Sequence, residues 1–299
     1  MPKLIPIGAL LLLAVGVTRA VHVQTERQPD QWLSEHSYIS TVEQMNLAFV
    51  LLREPQLPKG EEIMRAFPAF AVKGQTLRLI GTQIKEERKV AVLEFELQGR
   101  TAYIALMPIA VPNGEADHAA PLSVSAFGTG WKLPSHKAHL VVTFRGSDSA
   151  SLSDSLSLFT SLLAAVVKSS NAVGVYWGAA GATHDAKFLL SIAQEEDVDA
   201  RIMLWTGVSL SREPDGRLSL LSLGMHQLNL PDLLLIAPKS AGNEALGAFF
   251  DLLGYVCKLG KPLPDGDTIG RTAEERLPVR YVPSPRDPGK KVLRVELKK

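Results

Sequence analysis

Residues Val90–Gln98 alternate: Leu93, Phe95 and Leu97 fall on one side, Glu94, Glu96 and Gln98 on the other. A period of two puts successive side chains on opposite faces of a strand, so this strand has one apolar face and one wet face. Gly99-Arg100 then turns the chain into a second apolar stretch, TAYIALMPI (residues 101–109), ended by Pro108 and Pro112. A hairpin with one wet face belongs to an antiparallel sheet, because parallel strands are covered on both faces and read as continuous apolar runs.

Helical periods flank these strands. Ile63, Met64, Phe67 and Phe70 make one stripe over Gly60–Ala71. Leu152, Leu156, Phe159, Leu162, Leu163, Val166 and Val167 make another over Ser149–Lys168, whose Ser- and Asp-rich start suits capping. Leu246, Phe249, Phe250, Leu253 and Val256 make a third over Ala241–Leu259. Short apolar runs at Asn46–Leu52, His139–Phe144 and Leu233–Ala237 read as buried strands. Arg201–Ser211 and Arg217–Gln227 flank the turn signal Glu213-Pro214-Asp215-Gly216 and read as a further strand pair, and Trp205 ends the strand-like run IMLW. The fold class is therefore α+β: mostly antiparallel sheets with helices packed on one face, built from two β-α-β-β-like halves. The expected halves are residues 45–134 and 135–299.

Composition narrows the partners. Lys plus Arg number 32 against Asp plus Glu 31, so no basic excess points to nucleic acid. Apolar residues make up 46%, enough for a sizeable core. The lone Cys257 rules out an intrachain disulfide and a multi-cysteine metal site; at helical spacing from Phe249 and Leu253 it reads as a small buried hydrophobe.

Residues 1–44 stand apart. Lys3 precedes the apolar run LIPIGALLLLAVGV (residues 4–17) and Thr18-Arg19-Ala20. This fits a secretory signal over residues 1–20 loosely and is too short to span a bilayer, so no stable transmembrane span is expected. Arg19 is atypical there, and residues 21–44 show no clean period. A start at Met45, with residues 1–44 over-extended and poorly ordered, competes with export; a cytoplasmic mature protein is the favoured expectation.

The stretch GVYWGAAGATHDAKF (residues 174–188) holds the densest chemistry. Gly178 and Gly181 lack the three-glycine spacing of a dinucleotide fingerprint, and no Lys-Ser/Thr ends a phosphate loop. Asp185 near a helix start would repel an anion, and Thr183 or Asp185 is a natural N-cap. Phe144-Arg145-Gly146-Ser147-Asp148 has no second glycine for a nucleophile elbow. His136 and His139, three apart at the start of a strand, face opposite ways, which is poor metal geometry. Asp265 and Asp267 around Gly266 resemble a calcium-loop fragment without its register Glu. No metal set and no cofactor motif emerges. The candidates left are His184, Asp185 and His226 for catalysis and Trp177 and Trp205 for binding, although tryptophans at element ends more often pack in a core.

The segments GMHQLNLPDLLLIAP (residues 224–238), GYVCKLGKPLPDGDTIG (residues 254–270) and RLPVRYVPS (residues 276–284) together resemble the domain of unknown function family DUF4261. NLAFVLLREPQLP (residues 46–58), SHKAHLVVTF (residues 135–144) and GVYWGAAGATH (residues 174–184) are similar to the matching bacterial proteins. The resemblance runs from about Met45 to the end, with residues 222–284 the most diagnostic. It implies a bacterial protein and carries no agreed activity, cofactor or catalytic residue. Because no motif supplies a nucleophile with its base, a metal set or a phosphate loop, the expected function is a non-enzymatic binding or interaction module of adaptor or immunity type, with an unidentified protein partner. The alternatives are a hydrolase with a dispersed site at His184, Asp185 and His226 near a Trp177-lined pocket, and an exported envelope protein.

Overall fold

A computed structural model describes residues 22–24, 45–85, 90–127, 129–145, 151–270, 272 and 275–298. Strand β1 (His22–Gln24) is the described part of the first 44 residues; the signal-like run and the expected poor order of that segment otherwise lie outside the described residues. The chain forms two compact units, Val42–Asp197 and Val198–Lys299, the latter together with Met1–Thr41. The fold is α+β and the sheets are mostly antiparallel, as the alternation predicts.

In the first unit, β2 (Met45–Leu52), β3 (Leu77–Lys85), β4 (Val90–Leu97), β5 (Arg100–Met107), β6 (Ala138–Arg145), β7 (Ala172–Trp177) and β8 (Ala182–Asp185) form one sheet in the order β3-β4-β5-β6-β2-β7-β8. Each neighbouring pair is antiparallel. The helices are α1 (Gly60–Ala66), α2 (Glu115–Ala119), α3 (Leu152–Lys168) and α4 (Ala186–Ala193). Two β-α-β-β runs lie in this unit: β2-α1-β3-β4 and β6-α3-β7-β8. They share one sheet because β6 pairs with β5 on one side and β2 on the other. The first unit ends at Asp197 and the second begins at Val198.

The turn between β4 and β5 is Gln98-Gly99, both with positive φ (54° and 73°), the primed geometry that matches the twist of a tight hairpin. Leu93, Phe95 and Leu97 are buried, as are Ala102 and Ile104 on β5 and Leu140, Val142 and Phe144 on β6. This apolar face meets α3. Phe159 stacks on Phe144 at 6.5 Å and meets Trp177 edge-on at 5.2 Å. Both α1 and α4 pack on α3, and Ser161 Oγ donates to the Phe70 carbonyl oxygen at 2.8 Å. Strand β3 has no counterpart in the sequence reading: its pairing with β4 slips between Leu79 and Gly81, and that bulge breaks the alternation.

The opposite face is half covered. Val111 and Ala116, with the partly buried Leu133, pack on Leu51, Val173, Phe49 and Tyr176. Two histidines tie this cover down. The Val111 N–H donates to His136 Nε2 at 3.1 Å, and His139 Nδ1–H donates to the Ile109 carbonyl oxygen at 2.9 Å. Burial lowers the pKa of both rings below the usual histidine value. The His-x-x-His pair is thus a fastener for the 109–111 turn.

The second unit has α5 (Val198–Trp205), β9 (Gly207–Arg212), β10 (Leu218–Leu223), β11 (Leu233–Ala237), α6 (Gly242–Leu259), β12 (Thr268–Gly270), β13 (Leu277–Pro278), β14 (Arg280–Pro283) and β15 (Lys291–Glu296). Its main sheet runs β14-β15-β11-β10-β9, with β11 and β15 parallel; β1, β12 and β13 form a small separate sheet. Helix α6 buries Phe249, Leu252, Leu253 and Val256 and packs on β11 and α5. The expected turn at Glu213–Gly216 joins β9 and β10, with Gly216 at φ 84°. Ile202–Trp205 are helical, where the sequence reading had a strand; the run IMLW has no polar alternation to separate the two. Among the described residues no helix is long and apolar enough to cross a membrane.

Candidate functional site

The stretch GVYWGAAGATHDAKF folds as the end of β7, a single 3₁₀ turn closed by Gly181 at φ 63°, the short strand β8 and the start of α4. Asp185 occupies the N-cap position but makes no side-chain cap. Thr183 does not cap either: its hydroxyl donates to the Ala116 carbonyl oxygen at 2.7 Å. His184 is fully buried beside Phe188, ring centroids 6.2 Å apart.

The partners of His184 come from a segment that the sequence reading passed over. Ser123 Oγ lies 2.8 Å from His184 Nδ1 and 2.7 Å from Ser125 Oγ. The Asp185 N–H donates to Ser125 Oγ at 3.2 Å, and the Thr129 hydroxyl donates to the Ser125 carbonyl oxygen at 2.6 Å. A serine hydroxyl against a histidine nitrogen is the pairing of nucleophile and base. Here Ser123, Ser125 and His184 are all buried, so no substrate reaches them in this conformation. The network pins Ser123, Ser125 and Thr129 to the β8–α4 corner. No fixed spacing links serines near residue 124 to a histidine about sixty positions on, so sequence held no signal for it.

His226 lies in the second unit, exposed on a 3₁₀ turn (Met225–Leu228) between β10 and β11. The nearby carboxylate is Asp232, which the sequence reading did not single out. Its Oδ1 accepts from the Ser222 hydroxyl and the Met225 N–H, each at 3.1 Å, and Ser222 Oγ accepts from the Leu233 N–H at 2.8 Å. Burial holds the Asp232 carboxyl above the usual carboxylate range; those two hydrogen bonds and the charges of His226 and Lys290 oppose the shift. These contacts bind the β10–β11 connection to the start of β11. His184 with Asp185 and His226 thus belong to different units.

Trp177 and Trp205 are both fully buried. Trp177 packs on Phe159, and the Trp205 carbonyl oxygen accepts from Gln227 Nε2 at 2.9 Å. Burial also pushes the Cys257 thiol up to about 12, far from a reactive thiolate. Among the described residues no group of three or more His, Cys, Asp or Glu could hold a metal ion.

The surface that remains is the uncovered part of the first sheet. Cross-strand register sets its rows. Glu94, Tyr103, Thr143 and Leu47 form one row across β4, β5, β6 and β2. Val92, Ala105, Val141, Phe49 and Tyr176 form the next, extending onto β7. Met107 opposite His139 begins a third. Leu47 is 40% exposed, Tyr103 43%, Met107 38% and Ile109, just past β5, 54%. Glu94 makes no ion pair among the described residues, whereas its neighbour Glu96 pairs with Arg78. The sequence carried half of this: it set Glu94 and Glu96 on the wet face, but the same face of β5 and β2 is apolar.

No curated protein and no solved structure matches the chain. Residues 221–296, from within β10 to the end of β15, match the model of a domain of unknown function, DUF4261.

Proposed function

We propose that the protein is a non-enzymatic interaction module of adaptor or immunity type, working in the bacterial cytoplasm, whose protein partner docks on the open face of the first unit's sheet. The observation that carries this reading is the run of exposed apolar side chains over Leu47, Tyr103, Met107 and Ile109. Contiguous apolar surface on a folded chain marks a place where another surface is received. The unpaired Glu94 beside Tyr103 states the partner's chemistry: a segment with apolar side chains and a Lys or Arg to meet the carboxylate. The same carboxylate repels a phosphate backbone, which agrees with the even balance of 32 basic and 31 acidic residues.

Two labelled amphipathic helical peptides, one of Leu and Lys and one of Leu and Glu, test this by fluorescence anisotropy on the full chain. The Leu/Lys peptide binds and the Leu/Glu peptide does not; Tyr103→Asp with Met107→Asp abolishes binding, and Glu94→Lys reverses the preference. Equal binding of both peptides, or binding untouched by the double substitution, overturns the reading. The compartment is tested by the intact mass of the mature protein: the whole chain or a start at Met45 keeps it cytoplasmic, and cleavage near Ala20 makes it an exported envelope protein.

One contact favours a second reading. The 2.8 Å approach of Ser123 Oγ to His184 Nδ1 would serve a hydrolase if residues 123–129 moved aside. A fluorophosphonate probe that labels Ser123 supports it; an unlabelled protein ends it.

A further inference from the structure

Among the described residues, two buried hydrogen-bond donors of the first unit have no acceptor. One is Nη1 of Arg100, whose guanidinium carbon lies 5.7 Å from the centroid of Phe144. The other is Oγ of Ser155, a residue only 4% exposed. Phe144 stacks on Phe159 at 6.5 Å. Ser155 precedes Phe159 by one helical turn, so it shares the side of α3 that is turned to the sheet. Arg100 shares its face of β5 with Ala102, which pairs with Phe144; Arg100 therefore stands just past Phe144, towards the end of β6. Only residues 146–151 separate that end of β6 from Leu152, so α3 begins at the same end of the sheet.

Three features with one electrostatic preference meet there. A guanidinium is a permanent cation that recognises oxyanions. The first turn of a 17-residue helix adds the positive end of its dipole and unused N–H groups. The Ser155 hydroxyl is a third donor. Leaving a buried donor unmade costs about 1–3 kcal/mol, and native proteins seldom leave one without a partner. The acidic residue of that turn, Asp154, is exposed, and its own N–H is taken by Ser151 Oγ at 3.1 Å.

We propose that this end of the first unit binds a small tetrahedral oxyanion of the phosphate class, held between Arg100 Nη1 and Ser155 Oγ beside the Phe144–Phe159 stack. The depth of Ser155 favours the free ion over a phosphoryl group carried on a larger molecule. The site is independent of the docking face, because Arg100 lies on the helix-covered side of the sheet and Tyr103 and Glu94 on the other.

The test is calorimetric titration and thermal unfolding of the full chain with inorganic phosphate, against chloride at matched ionic strength. Phosphate binds saturably and raises Tm, and a phosphoserine peptide at the same concentration does neither. Arg100→Met weakens phosphate binding at least about tenfold, the loss expected for a hydrogen bond to a charged group. Ser155→Ala weakens it less. Each substitution removes an unsatisfied donor, so the ligand-free variants fold at least as stably as the parent, and circular dichroism checks this. No phosphate effect on the parent chain overturns the proposal, as does an effect that survives undiminished in both variants. Peptide binding that equals phosphate binding overturns the assignment to a free ion.

Discussion

Strands β5 and β11 are buried in opposite ways. In β5 (RTAYIALM) Ala102 and Ile104 are buried while Tyr103 and Met107 stand exposed, and every neighbour of the strand is antiparallel. In β11 (LLLIA) all five residues are buried, and the strand pairs parallel with β15 and antiparallel with β10. A strand sealed on both faces can contribute only packing. A strand with one open face can also present side chains to a partner, and β5 presents apolar ones. The contrast separates where this chain is stabilised from where it is offered for binding.

The comparison breaks most sharply at the sealed positions. Trp177→Ala costs about 3–5 kcal/mol and Leu235→Ala about 2–5 kcal/mol, read from urea unfolding, because each leaves a cavity in a closed core. Tyr103→Ala stays within about 0.5 kcal/mol. A Trp177→Ala variant that unfolds like the parent would mean that the indole is not core, and would return it to the list of binding residues. Next in size is the buried network: Ser123→Ala leaves donors unpaired beside His184 and costs about 1–3 kcal/mol, and a double-mutant cycle with His184→Ala shows non-additivity. Additive losses would show that the two side chains do not act together.

The smallest effect separates the covered half of the first sheet face from its open half. His136 and His139 titrate below the ordinary histidine value in the fold, so the native state holds fewer protons than the unfolded chain around that value. Their contribution is present above about pH 6.5 and is lost as pH falls towards the folded values. His136→Gln keeps an acceptor for the Val111 N–H and flattens that part of the acid limb. An acid limb unchanged by the substitution would show that His136 does not fasten the cover.

Much of this was legible. The Val90–Gln98 alternation gave the buried set Leu93, Phe95 and Leu97, and the stripe on α3 gave Phe159 its place inside. Strand β3 was not legible, since the bulge at Leu79–Gly81 shifts its period, and neither was the helical state of IMLW before Trp205, since a short apolar run has no period to read. The candidate histidines were visible as residue types. Ser123, Ser125, Ser222 and Asp232 were not, because their roles arise from contacts such as the 2.8 Å approach of Ser123 to His184, which joins positions far apart in the chain.

What the sequence determined by itself is the class of the fold, α+β with mostly antiparallel sheets, because periods of 2 and 3.6 are local properties of neighbouring residues. Register, burial and convergence were decided only by the tertiary structure. Which strand lies beside which, and which apolar face stays open, depend on pairings between distant segments such as β2 with β6 and β7, and it is those pairings that leave Tyr103 exposed, seal Trp177 and bring Arg100 to the same end of the sheet as Ser155.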